Sequence, residues 1–434
     1  MDAVFSSWPA RMPAHSDRRS WCLRAAFYLA WWSAVSVVAS IAVSQILLGM
    51  AFAAILVSGA PLRFPPVKLP LVLFFGITVV AILASGAPLH GWPQLRKFYV
   101  FLLLPVVFTT FTETRQIRSM VLGWSVVAAV SGAAGMVQMA RLLLHASRAQ
   151  LQDYGYFLYN RPTGLSSHWM TFGGEEMIVL LALLALLFFD SERRGKWLGC
   201  ICAPILFVGL TLSLTRSVFL VGFPAGAIYL LWRWNRKVVW LAPLAATLLL
   251  VAPMPIRERV RSAFEPHRGM DSNAQRVVTV RTGLAMVRAH PWLGLGPEEI
   301  AGHFQEYVPK DIPRPLPVGW YGHLHNIYLQ YAAERGIPGM LLMMWFLGKV
   351  LVDAARSARE GDAAGRFIFH SAIAIVLAVL AEGFFEYNLG DSEVLSLFLT
   401  AVACMYVMRS GNTAQGVSRF RFLERGTFAL KYSS

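Results

Sequence analysis

Two residue types capable of chemistry gather in one part of this chain. From about Ile256 to Gly322 the sequence carries Arg257, Arg259, Arg261, Arg268, Arg276, Arg281, Arg288, Lys310 and Arg314, then runs into His323-Leu-His325-Asn326. A guanidinium offers a planar fork of N–H donors, stays charged, and grips phosphate oxygens in pairs. A neutral imidazole accepts a proton from a hydroxyl near pH 7. Together they predict an anionic substrate and a proton transfer. Most loop arginines are simply solvated or face headgroups, and Arg257, Arg259 and Arg261 read as interfacial side chains of that kind. Arg276 stands apart because Ser272-Asn-Ala-Gln-Arg276 leads through a helical stretch, Val277 to Arg288, into His290-Pro-Trp-Leu-Gly294-Leu-Gly296.

Further candidates lie elsewhere. Arg216, in Thr211-Leu-Ser213-Leu-Thr-Arg216-Ser217, occupies a polar break between apolar runs, where an ionisable group is costly unless paired or functional. Arg161, in Asn160-Arg-Pro-Thr-Gly164, is a third possible anion contact. His168 opens another span and is a weaker base candidate than His325. His323 and His325 form His-x-His, which raises a metal reading with His303 as a partner; no compact third and fourth ligand follows, so no metal is expected. Glu175 and Glu176 begin one span, while Glu382 and Glu386 lie one helical turn apart. Such carboxylates either form structural pairs or orient the histidine. Gly294-Leu-Gly296 follows no strand of a βαβ unit and is no dinucleotide fingerprint.

The elements that must position these groups are membrane helices. Of 434 residues, 56% are apolar and only 15% charged, against roughly 25% charged in soluble proteins. Apolar runs approach the ~20 residues needed to cross a bilayer and do not alternate as barrel strands do. The expected fold is an all-α polytopic membrane protein with about 12 transmembrane helices and one large extracytoplasmic loop containing short helices. The spans fall near 24–42, 43–60, 69–87, 94–112, 119–141, 171–189, 197–214, 217–233, 239–255, 325–353, 366–388 and 393–409. This divides the chain into a cytoplasmic segment 1–23, nine helices over 24–255, a periplasmic loop 256–324, three helices over 325–409 and a cytoplasmic tail 410–434.

Basic residues in alternate short connections put both termini in the cytoplasm, and the bias weakens for a loop as long as 256–324. The first twenty residues are polar and Pro-rich, so no cleavable signal peptide is expected. Cys22, Cys200, Cys202 and Cys404 adjoin apolar segments and suggest buried thiols rather than disulfides. The net charge of +15, in so apolar a chain, suits anionic lipid headgroups and not nucleic acid.

His325-Asn326, nine residues, then Gly336-x-x-Gly339 resembles the signature of the O-antigen ligase/polymerase superfamily. The likeness extends to Arg276…His290-Pro…Gly294-x-Gly296, to Ser213-Leu-Thr-Arg216 and to Arg161-Pro-Thr-Gly164…Ser167-His168-x-Met-Thr171, over roughly residues 20–410. The resemblance implies a glycan donor on undecaprenyl pyrophosphate and a sugar hydroxyl acceptor on lipid A-core or another lipid-linked chain. It further implies that Arg216 and Arg276, with Arg161, hold the pyrophosphate, and that His325 activates the acceptor, with no cofactor. His323, Asn326, His168 and Glu386 are secondary candidates; His323 is outside the family pattern, so the choice of His325 rests on the following Asn. The multi-pass chain would sit in a bacterial inner membrane with its site facing the periplasm. Ligase activity is favoured over a polymerase that joins lipid-linked repeat units. A protein O-oligosaccharyltransferase is a further family alternative, and a solute transporter a more distant one.

Overall fold

The structure is a computed structural model that describes residues 18–151, 154–193, 195–241, 253–265, 272–360 and 365–429. Among these, helices alternate with short connections and no strand occurs. The first part comprises α1 (Arg18–Ser36), α2 (Ile41–Ser58), α3 (Lys68–Ala84), α4 (Trp92–Lys97), α5 (Leu103–Thr110), α6 (Thr114–Arg148) and α7 (Tyr154–Tyr159). There follow α8 (Trp169–Phe189), α9 (Lys196–Leu212), a π-helical turn Ser217–Gly222 that continues as α10 (Phe223–Trp234), and α11 (Met254–Arg261). The remainder is α12 (Ser272–Ala289), α13 (Ile300–Tyr307), α14 (Ile327–Glu360), α15 (Arg366–Glu382) and α16 (Ser392–Ala429).

Six helices among the described residues are long and apolar enough to span a membrane: α2, α6, α8, Ser217–Trp234, α14 and the first half of α16. Two shorter apolar helices, α3 and α9, accompany them. The span expected at 94–112 is broken into α4, a 3-10 turn at Val100–Leu102, and α5. That expected at 239–255 lies largely outside the described residues. The polar stretch after it contains α11, α12 and α13, and the helical pattern read at Val277 to Arg288 falls inside α12.

The axis of the fold is α8. Its residues from Thr171 to Leu183 are buried on every side, by α6, α9, α10, α15 and α16. Such an all-round apolar helix has no solvent face to satisfy. Its two carboxylates are therefore accommodated by special packing. Glu175 accepts a hydrogen bond from Ser166 Oγ at 2.6 Å. The Glu176 carboxyl lies where α6 and α9 cross at Gly132 and Gly209, two positions without a Cβ to obstruct it.

The long helix α14 is not continuous: Gly336 has φ +71, ψ 172 and interrupts it before Pro338. The His290–Gly296 segment lies along that break. Leu295 N–H donates to Ala333 O at 2.8 Å, Gly296 N–H to Glu334 O at 3.1 Å, and Ile337 N–H to Pro291 O at 2.8 Å. A Cβ on Gly336 would meet the Trp292 carbonyl oxygen at 2.0 Å, and one on Gly294 would meet the Glu334 backbone at 2.4 Å. Both glycines also have positive φ. Thus Gly336 and Gly294 serve backbone-to-backbone contact, which only glycine permits at that separation, whereas Gly339 faces the Arg335 side chain.

Candidate functional site

One cavity of about 760 Å³ collects Arg161, His168, Arg216, Arg276, His323, His325 and Glu386, every candidate site residue named above except Asn326. Its walls come from the start of α8, the turn at Thr215–Ser217, α11, α12, the loop Val318–His325, and the segment from the end of α15 to Asp391. Arg161, Arg216 and Arg276 line it, as do His168, His323, His325 and Glu386. Residues from 161 to 386 in sequence thus share one chamber.

The arginines are held by local structure. Arg216 immediately precedes the π-helical turn, a distortion often found at functional positions. It donates through Nη1 to the Ser262 carbonyl and through Nη2 to Asn273 Oδ1 at 2.9 Å, so the helix break and the segment before α12 are tied together. Arg276 is on the first turns of α12; it donates to the Phe385 carbonyl at 3.3 Å and lies over the Phe385 ring at 5.7 Å. Arg161 donates to the Leu158 carbonyl at 3.0 Å and stacks its guanidinium on Trp169 at 4.6 Å. Burial, followed by the fields of Arg259, Arg216 and Arg276, pushes Arg161 down to about 9 despite Tyr154 nearby. Burial likewise lowers Arg276, with Glu386 opposing. Arginines crowded together out of water are poised to bind an anion, which relieves both desolvation and mutual repulsion.

Arg259 corrects the sequence reading. Its neighbours Arg257 and Arg261 are half exposed and flank Glu258, as interfacial residues do. Arg259 is only 5% exposed and lines the cavity beside the other three. On an eight-residue helix, alternate arginines face different directions, and the charge pattern alone could not say which turned inward.

Chemistry of the opposite kind adjoins Arg276, which donates to the carbonyl of Phe385 next to Glu386. His325 adopts φ 49, a left-handed conformation, just before α14. Its Nδ1 lies 3.2 and 3.3 Å from the two Glu386 oxygens. A carboxylate can only accept, so Nδ1 carries a proton here, and Nε2, which faces a carbonyl, offers a lone pair only once that carbonyl is displaced. Nε2 sits 3.3 Å from the Trp320 carbonyl, beside the open cavity. For Glu386, burial alone would raise the carboxyl, but His325, His323 and the Tyr387 N–H draw it down to about 2. It is an anion at any working pH.

His323 has a different task. Its Nδ1 accepts the His325 backbone N–H at 3.1 Å, its ring packs 4.1 Å from that of His325, and its Nε2 faces Glu386 at 3.6 Å. Burial pushes it down to about 4. It therefore steadies the unusual backbone of His325 as a neutral ring.

A third metal donor, absent from any compact sequence pattern, is supplied by Glu386: ligand atoms of His323, His325 and Glu386 all lie within 4.8 Å of one another. Two imidazoles and a carboxylate form a set that zinc accepts. As arranged, however, protons already satisfy the trio, and a metal on His323 Nε2 would require a proton on Nδ1, where the His325 N–H donates. The suggested partner His303 is elsewhere, 2.9 Å from Glu306 and 3.8 Å from Glu299.

Two candidates prove to be helix caps. Asn326 accepts the Leu329 N–H at 2.9 Å and donates to Phe384 O at 3.1 Å, fixing the start of α14 rather than lining the cavity. His168 caps α8 by accepting the Met170 N–H at 3.2 Å, and it still borders the cavity. Sequence reasoning also passed over Lys97 and Asp391, which line the chamber. Asp391 accepts from Thr171 Oγ1 and caps α16 through the N–H groups of Glu393 and Val394.

Residues 179–344 match the family described as O-antigen ligase. The matched stretch runs from within α8 through the break in α14 and includes Arg216, Arg259, Arg276, His323 and His325. No curated protein matches the chain.

Proposed function

We propose, from the match of residues 179–344 to the family described as O-antigen ligase, that the chain transfers a glycan from a lipid-linked pyrophosphate to a sugar hydroxyl at the periplasmic face of the inner membrane. The donor is an undecaprenyl pyrophosphate-linked glycan and the acceptor a hydroxyl of lipid A-core. The observation that supports this reading is a division of labour within one cavity between buried arginines and a His325–Glu386 pair.

The reaction follows from that division. The acceptor hydroxyl displaces the Trp320 carbonyl from His325 Nε2 and is oriented by it. As the acceptor oxygen bonds to the anomeric carbon, the bond from that carbon to the pyrophosphate oxygen breaks. The hydroxyl proton passes to Nε2, and the bonding electrons leave with the pyrophosphate. Glu386 steadies the imidazolium so formed, as the buried carboxylate does in hydrolase triads. Arg216 and Arg276, with Arg161 behind them, receive the charge that gathers on the leaving group. Preorganised donors of this type lower a barrier without reorganising during the reaction. Holding both substrates in one chamber contributes further by making the encounter intramolecular. The chamber suits a diphosphate and one or two sugar rings, with the polyprenyl tail in the surrounding membrane.

Single replacements Arg216→Ala, Arg276→Ala and His325→Ala test the proposal in cells that keep the protein at normal membrane abundance. Loss of ligation gives bare core on a lipopolysaccharide gel and polymer retained on its lipid carrier. Core capped with a single repeat unit would assign polymerisation instead. Unchanged glycans with altered solute uptake would refute glycan transfer.

A further inference from the structure

We propose that Arg259 is a fourth pyrophosphate contact, and that its charge serves the leaving group more than the bound donor. This rests on the glycan-transfer reading above. The observation is a contrast within one helix. Arg257 and Arg261 have side chains 52% and 58% exposed and sit beside Glu258, whereas Arg259 is 5% exposed and faces the chamber. Its Nε donates to the Leu214 carbonyl at 2.7 Å. Leu214 has φ 51 and lies two residues before Arg216, so Arg259 braces the break that presents Arg216.

That bond uses one of the five guanidinium N–H groups. Among the described residues no carboxylate lies within ion-pairing distance of Arg259, and its field is felt by Arg161 and Arg276. Tyr154 also hydrogen-bonds Arg259, but a buried cation would not be retained for a carbonyl and a phenol alone, because a neutral amide makes such bonds without the desolvation cost. The charge requires a partner that arrives with the substrate.

Charge balance says when it is needed. A pyrophosphate diester carries one negative charge on each phosphate. Cleavage at the anomeric carbon leaves the outer phosphate with a further charge on the released oxygen. Arg216 and Arg276 match the diester, while Arg259 and Arg161 exceed it, and one charge of that excess is matched as the leaving oxygen departs. An interaction that strengthens along the reaction appears in kcat, not in KM.

The test uses the full chain in lipid nanodiscs with three variants. Arg259→Gln keeps a donor for Leu214 and removes the charge; Arg259→Lys keeps the charge and loses the fork; Arg276→Ala serves as reference. Binding of inorganic pyrophosphate is measured by calorimetry, and donor kcat and KM are measured separately. The expected result for Arg259→Gln is a kcat about 10²-fold lower with donor KM nearly unchanged, and weakened pyrophosphate binding. Arg259→Lys recovers most of both. Wild-type binding and kcat in Arg259→Gln, or a Lys variant as impaired as Gln, would leave Arg259 a backbone brace and overturn the inference. Should Arg259→Gln not accumulate, the Lys variant decides alone, since retained pyrophosphate binding is required of it. Unaltered binding in Arg276→Ala as well would sink the underlying reading, whereas a defect in Arg276→Ala alone would sink only the role of Arg259.

Discussion

Replacing Glu386 by Gln removes one charge while nearly preserving shape, and the structure sets the expected cost. The carboxyl is drawn from the ordinary 4.5 to about 2, although burial alone would raise it. At about 1.36 kcal/mol per pKa unit, its environment favours the anion by about 3 kcal/mol. The chief contributors are His325, at 3.2 Å, and then His323, at 3.6 Å. If that attraction is what supports the imidazolium formed during transfer, Glu386→Gln loses about 3 kcal/mol of transition-state stabilisation, or about 10²-fold in kcat. Donor KM should stay within a small factor, because the hydrogen-bonding partners of the carboxylate are His325 and the Tyr387 N–H. The assay is steady-state transfer in nanodiscs with a lipid pyrophosphate donor, alongside thermal unfolding to show that the variant is folded. A folded Glu386→Gln that keeps wild-type kcat would refute the pairing of Glu386 with the base.

Other predictions concern the scaffold and pH. Gly336→Ala forces a Cβ to 2.0 Å from the Trp292 carbonyl and strains φ +71 by about 1–2 kcal/mol in addition, so membrane abundance and unfolding temperature should fall; Gly348→Ala, where nothing lies within 4 Å, should be neutral or mildly stabilising. Arg335 pairs with Glu334 at full burial and donates to Thr78 and Gln94, so Arg335→Met alone should cost about 3–5 kcal/mol and reduce accumulation, with partial recovery on adding Glu334→Gln. His323 is pushed from 6.5 to about 4, so the unfolded chain takes up its proton first and stability should drop as pH falls from 6.5 toward 4. Glu386, depressed from 4.5 to about 2, adds a loss as pH falls from 4.5 toward 2. Thermal unfolding of the solubilised protein across pH 7 to 4 measures the upper part, which His323→Asn should flatten.

Much of the helical framework was legible because apolar run length reports directly on a membrane span. Expected spans at 43–60 and 171–189 correspond to α2 and α8 within two residues at each end. The break at 94–112 was not, because Phe and Leu run through it without a polar interruption. Arg161, Arg216, Arg276 and His325 could be selected from their motifs, and all four border the same chamber. Asn326 and Gly336 could be noticed but not interpreted: only coordinates reveal that one caps α14 and the other admits the backbone of His290–Gly296. Arg259 was misread because charge in sequence says nothing of direction on a short helix. The Glu386 contact spans 61 residues, a separation no local pattern encodes.

The most direct measurement is a cryo-EM structure of the protein in nanodiscs with a lipid pyrophosphate bound. The account predicts diphosphate density within hydrogen-bonding distance of Arg216 and Arg276, with His325 Nε2 facing the sugar end. Diphosphate density on another surface, with the buried arginines left without it, would contradict it.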